Sequence, residues 1–170
     1  KQAVDNVYGA KKRPYNQPLP LLLADKSDLS KVASNPPDIV QKLAERFWPG
    51  GLTLVLKKSP GVPGTVTGGG DTVAVRIPDH PAPIALIRGL GTPIIGTSAN
   101  LSGKPSPVTA EEARKQLGNS VDFIIDGGRC PGGIESTVLD VTGKAPVLIR
   151  EGAIPKAELI RLCGPLSTKT

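Results

Sequence analysis

One α/β domain built around a mixed sheet is the fold class this sequence predicts. Three observations predict it. Apolar runs of strand length intermix with amphipathic runs of helix length along the whole chain. The 170 residues are enough for one domain with a real core. No internal repeat and no linker divides them, so residues 1–170 are read as a single domain.

The elements follow in order. Residues 1–13 read as a short helix, with Val4, Val7, Tyr8 and Lys11 at helical spacing. Pro14 disfavours the α region at Arg13, which predicts an end near Lys11 or Lys12. LPLLLAD is an apolar strand. DKSDLSKVAS and PPDIVQKLAERFW are helices, the second opening on prolines that a first turn tolerates. GLTLVLKK is a strand after the WPGG turn, and PGVPGTVTGGGD is a loop. TVAVRIP alternates: Val73, Val75 and Ile77 share one face, and Thr72, Ala74 and Arg76 the other. APIALIRGLG is a helix closed by glycine, and TPII a short buried strand. Thr109 and Glu112 form a capping box before AEEARKQL, which stops at Gly118. VDFIID, STVLDV and PVLIRE are strands, with GGRCPGG a loop between the first two. Pro155 opens a last helix, KAELIRLC, closed by Gly164.

Composition narrows the function. Gly 20 and Pro 18 together make about 22% of the chain, which fits many tight loops rather than disorder. No run is long and apolar enough to span a membrane, and the opening residues show no secretory pattern. Cys130 and Cys163 are too few for a disulfide scaffold and lack metal spacing, so a reducing cytoplasm is expected. The net charge of +6 points to an anionic partner: nucleotide, nucleic acid or phosphate. Aromatics at 3% leave few stacking platforms for single strands.

The stretch GTSANLSGKPSP, Gly96 to Pro107, has the look of a phosphate loop but not its spacing. Six residues separate Gly96 from Gly103, where a P-loop has four, and Pro105 follows Lys104 in place of a hydroxyl. Ser98 and Asn100 are two apart, so in an extended segment they project to one side. They suit a phosphate, a carboxylate or a metal-bound water, and equally a turn that merely starts the loop. Lys11 and Arg13 repeat that spacing; two cations there suit a polyphosphate, or a solvated basic helix end. Arg76 interrupts a strand of small apolar residues and needs an anion, from the fold or from a ligand. Arg150 poses the same question. Ser136 follows a glycine-rich turn, where a ligand can approach closely. His80, the only histidine, reads as a turn residue rather than a general base, and Asp25, Asp126, Glu135 and Asp140 show no metal-box spacing.

Six segments in order, AKKRPYNQPLPLLL, FWPGGLTLVL, TVAVRIPDHP, GTSANLSGKPSP, DGGRCPGGIESTVLDV and LIREGAI, resemble the YrdC family of threonylcarbamoyl-AMP synthases, over nearly the whole chain. The resemblance implies a twisted sheet with flanking helices around a basic cavity. It implies formation of threonylcarbamoyl-AMP and pyrophosphate from L-threonine, bicarbonate and ATP. This is a nucleotidyltransferase reaction that serves tRNA threonylcarbamoyladenosine modification. Magnesium would come bound through the phosphates. A downstream threonylcarbamoyl transferase complex would use the product.

Residue by residue, the resemblance makes Lys11 and Arg13, facing Ser98 and Asn100, the catalytic set. Lys11 and Arg13 would neutralise the ATP phosphates. Arg13, Gln17, Thr72, Asn100, Val108 and Arg150 would lie toward ATP, Val108 through backbone or shape only. Leu22, Arg76, Ser98 and Ser136 would form the threonine side, with Arg76 on the carboxylate. The family opens with a strand ending in a Pro-Thr-Glu-Thr-Val-Tyr-Gly-Leu-like segment. An ungapped reading places KQAVDNVYGAKKRP on the later helix, so that strand is expected to be missing here, as is the C-terminal extra domain of longer relatives. A module that binds double-stranded RNA or tRNA without chemistry is the alternative, since such RNA is read by backbone and shape. Charge placement separates the two: Lys11, Arg13, Arg76 and Arg150 converging in one pocket favours the enzyme, and a basic convex face favours RNA.

Overall fold

The computed structural model describes residues 2–130 and 134–168. Helix α1 (Gln2–Lys11) leads to strand β1 (Leu21–Leu22), then to a 3₁₀ turn (Lys26–Asp28) running into the single turn of α2 (Leu29–Val32). Helix α3 (Ile39–Phe47), strands β2 (Leu52–Lys57) and β3 (Thr72–Arg76), helix α4 (Pro81–Leu90) and strand β4 (Ile94–Ile95) follow. The remainder is α5 (Ala110–Leu117), β5 (Thr137–Asp140), β6 (Val147–Arg150), α6 (Lys156–Cys163) and β7 (Ser167–Thr168). The strands form one mixed sheet in the order β4-β1-β3-β2-β5-β6-β7.

Register explains the core. Leu21 pairs with Val75, Val75 with Leu54, Leu54 with Leu139, and Leu139 with Leu148. These partners lie on one face and form an apolar row across five strands, every member buried. Each buried side chain of this kind contributes about 1.5–3 kcal/mol relative to exposure. Val4 and Tyr8 of α1, Val40, Leu43 and Phe47 of α3 and Leu159 of α6 belong to the same cluster. No helix of the described residues is long and apolar enough to cross a membrane.

Two expectations need correcting, and one strand was not foreseen. The strand expected over VDFIID does not form: residues 121–126 are irregular, with Phe123 91% and Ile125 66% exposed. They pair with no strand of the sheet, and an extended segment without a ladder partner gains no backbone ladder bonds. The helix expected over DKSDLSKVAS is split, because Asp25 and Asp28 form a tight capping box around the 3₁₀ turn. The short polar strand β7, parallel to β6, was not legible in its sequence. The loop expected over GGRCPGG includes residues 131–133, which lie outside the described residues.

Candidate active site

The opposite face of the same register builds the floor of a cleft of about 480 Å³, within the usual range of small-molecule sites. Leu22 pairs with Arg76, Thr53 with Val138, and Val138 with Arg150. Continuing the β2–β3 register one step sets Thr53 opposite Arg76. Strand alternation puts Ser136 on the side of Val138. β1, β3 and β6 end here, and β2 and β5 begin here, so Leu22, Arg76, Thr53, Ser136 and Arg150 converge on one cleft.

Arg76 is half-buried. Its Nε donates to the Gly50 carbonyl at 2.7 Å, and it has no ion-pair partner among the described residues. Burial lowers its pKa, and the charge of Arg150 lowers it further. Both costs fall on the charged form, so an anion placed here would be bound strongly.

Arg150 reaches the floor through an irregularity. Leu139 pairs with Leu148, yet Val138 pairs with Arg150 rather than Ile149. A regular ladder would set Ile149 opposite Val138; the bulge sets Arg150 there instead, and Ile149 stays exposed. Unlike Arg76, Arg150 is neutralised. It forms an ion pair with Glu135, and its Nε and Nη2 donate to the Ser136 carbonyl at 3.1 and 2.8 Å. Gly152 permits this packing, since a Cβ there would stand 2.2 Å from the Glu135 carbonyl oxygen. Buried Thr137 ties the turn down, accepting from the amides of Gly152 and Ile154 and donating to the Ile154 carbonyl.

The rim is built differently. Helix α1 ends because Lys12 takes a left-handed conformation, φ 50°. The Lys12 amide bonds the Gly9 carbonyl and the Arg13 amide the Tyr8 carbonyl, a Schellman ending with lysine where glycine is usual. Arg13 therefore turns into the cleft, its Nε and Nη2 held by the carbonyls of Gln17 and Pro18. Tyr8, whose hydroxyl also donates to Gln17 O, stacks on Tyr15 and fixes this segment against α1.

Lys11 goes the other way. It is 3% exposed, and its ammonium donates to the carbonyls of Ser98 and Asn100 and to Asn100 Oδ1. Three acceptors take the three protons of the ammonium, and all three belong to the loop after β4. Burial, then the charge of Arg13, lowers the Lys11 pKa. Asn100 Nδ2 donates to the carbonyls of Leu101 and Lys104, and Gln116 of α5 clamps both Leu101 N and Pro105 O. The loop is thereby held from two helices. At its base, a Cβ on Gly96 would meet Leu22 Cγ at 2.6 Å, so glycine lets Leu22 lie against it.

Of the residues singled out from the sequence, Arg13, Leu22, Arg76, Ser98, Val108, Ser136 and Arg150 line the cleft. Four do not. Lys11 and Asn100 lie behind the loop; the segment is bent rather than extended, so Ser98 and Asn100 diverge. Gln17 is exposed outside the cleft and contributes its carbonyl. Thr72 shares the face of Arg76 but sits four residues away along β3, roughly 13 Å at strand rise. Val108 acts as apolar wall, its amide held by Glu112 and its carbonyl by Cys130 N. The expected capping box is thus shifted: Thr109 caps the Glu112 amide, but Glu112 reaches back to Val108.

Sequence reasoning missed Thr53 and Glu135. Thr53 had a readable signal, a polar residue opposing the Leu52, Leu54, Leu56 stripe. Glu135 had none, because its pairing with Arg150 depends on the bulge. Among the described residues no group of three His, Cys, Asp or Glu side chains is placed to hold a metal.

Fold and cleft together define an α/β small-molecule domain with a cationic cleft at one end of a mixed sheet. The family model Sua5_yciO_yrdC, described as telomere recombination, matches residues 1–152, and the chain belongs to that family. Threonylcarbamoyl-AMP synthase of Bacillus subtilis (strain 168) is 46% identical over 165 residues, covering 96% of this chain and 48% of that protein. A putative threonylcarbamoyl-AMP synthase of Methanocaldococcus jannaschii is 40% identical over 161 residues, 94% of this chain and 74% of that protein. A crystal structure of P. abyssi Sua5 complexed with L-threonine matches with a TM-score of 0.96 and 43% identity, over 99% of this chain and 50% of that one. The chain thus spans about half the length of the Bacillus and Pyrococcus proteins. The family resemblance and the α/β mixed-sheet expectation are both borne out.

Proposed function

We propose that this domain is a nucleotidyltransferase that forms threonylcarbamoyl-AMP and pyrophosphate from L-threonine, bicarbonate and ATP. The observation that carries the reading is Arg76, a half-buried guanidinium without an ion-pair partner among the described residues, on the cleft floor between Leu22 and Thr53. A carboxylate docked on Arg76, with Ser136 as a second donor, would leave the amino group over the cleft and the methyl side toward Leu22. Similarity to the P. abyssi Sua5–threonine complex supports the same ligand.

Capture of bicarbonate by the amine gives a carbamate and releases water. A carbamate oxygen then forms the bond to the α-phosphorus of ATP as the bond to pyrophosphate breaks. No side chain need become covalently attached; the domain works by placing the reactants and offsetting charge. Arg13 and the Ser98 loop face the polyphosphate. Lys11 and Asn100 keep that loop in place. Arg150, balanced by Glu135, reaches the phosphates only by exchanging partners. Gln17, Thr72 and Val108 take part in ATP binding only at its periphery. A magnesium ion would arrive on the phosphates and keep mostly water and phosphate ligands. The product serves tRNA threonylcarbamoyladenosine synthesis through a threonylcarbamoyl transferase. A cytoplasmic location fits two free cysteines. Arg13, Arg76 and Arg150 line one concave site, which favours catalysis over an RNA-binding surface.

Titration calorimetry with L-threonine tests the reading. Arg76→Ala is expected to weaken threonine binding by about 10–100-fold, the loss of charge-assisted hydrogen bonds. ATP affinity should hold within about twofold. Equal losses for both ligands would remove Arg76 from the carboxylate.

A further inference from the structure

We infer that Thr53 is a positioning residue that fixes the Ser136 hydroxyl as a hydrogen-bond donor to the amino-acid substrate, an inference that rests on the threonine reading of the cleft. Thr53 is 4% exposed, is the second residue of strand β2 and lines the floor beside Arg76. Its Oγ1 stands 2.8 Å from Ser136 Oγ. A hydroxyl pair can point either way, and here the surroundings choose. Thr53 has no other side-chain hydrogen bond among the described residues, so its proton goes to Ser136 or to nothing. A buried hydroxyl without an acceptor is costly, so Thr53 donates. Arg150 Nη2 also donates to Ser136 Oγ, at 3.3 Å. Both lone pairs of that oxygen are then occupied. Ser136 keeps one proton, with no acceptor among the described residues, and it lines the cleft.

The consequence is a site with a fixed polarity. Ser136 and Arg76 both present donors to one region, which matches a carboxylate and disfavours an ammonium. Thr53 itself touches no substrate. It removes the freedom of Ser136 to turn its lone pair toward the ligand.

Thr53→Val removes the hydroxyl at nearly constant shape, and Thr53→Ser keeps it. Threonine binding and pyrophosphate release are measured for both, with thermal melting as a control. Thr53→Val should raise the KM and Kd for L-threonine about tenfold, with the KM for ATP unchanged, and Thr53→Ser should restore most of the affinity. Equal threonine affinity in wild type and Thr53→Val, or equal losses in both variants, overturns this role alone. A proportional loss of ATP affinity also overturns it, as a general collapse of the floor would do that. A wild-type protein that binds no threonine overturns the proposed function and this inference together.

Discussion

On the floor of the cleft, Leu22, Arg76 and Thr53 stand where strand alternation puts them, and Arg150 where the bulge in β6 does. On the rim, Ser98 stands on a loop that the Lys11 ammonium holds at Ser98 and Asn100 and the Gln116 amide holds at Leu101 and Pro105. The floor is the reverse side of the core: the row Leu21, Val75, Leu54, Leu139 and Leu148 alternates with the cleft row, so burying one fixes the other. The rim has no such backing. Its geometry rests on two side chains, buried Lys11 and half-buried Gln116, bonded to loop backbone groups, and each such bond is lost outright when the side chain is removed. Cationic side chains therefore do different work in the two regions. Arg76 has no ion-pair partner among the described residues, whereas the Lys11 ammonium is used up inside the protein.

The largest effect that would separate the two regions is expected from Lys11→Ala. It leaves the carbonyls of Ser98 and Asn100 without their donor in a buried setting. Stability should fall by about 2–4 kcal/mol in denaturant melts. Turnover should fall about a hundredfold through a displaced loop, with the KM for ATP little changed. A stable Lys11→Ala protein with weakened ATP binding would instead place Lys11 on the phosphates and erase the distinction between floor and rim. A much smaller effect sharpens it. Lys12 holds a left-handed conformation at the end of α1 and is exposed. Lys12→Gly should raise stability by about 0.5–1 kcal/mol, as relief of strain outweighs the added chain entropy. Pyrophosphate release should be unchanged, because the Arg13 turn is kept. A lower melting temperature would mean that Lys12 has a contact the turn geometry does not explain.

The same contrast explains what could be read in advance. Alternation in TVAVRIP assigned Val73 and Val75 to the core and Arg76 to the far side, and the structure agrees, because a period of two has only two faces. Thr53 was open to the same argument. Arg150 was singled out, but its direction was not derivable: VLIR alternates the wrong way, and the bulge at Val138 corrects it. An extended segment would put Ser98 and Asn100 on one side, but the chain bends at Ala99 and Asn100. The bend that parts them depends on Lys11, nearly ninety residues earlier, which local pattern cannot report. VDFIID has a strand pattern but no neighbouring strand, and propensity without a partner does not make a sheet.

The measurement that bears most directly on the proposed chemistry is pyrophosphate release from ATP by this chain, with L-threonine and bicarbonate each supplied or omitted. Release that requires both is expected, since the carbamate that attacks the α-phosphorus needs the amine and the carbon source together. Release that is indifferent to threonine or bicarbonate, or none from a folded protein that binds both ATP and threonine, would contradict it.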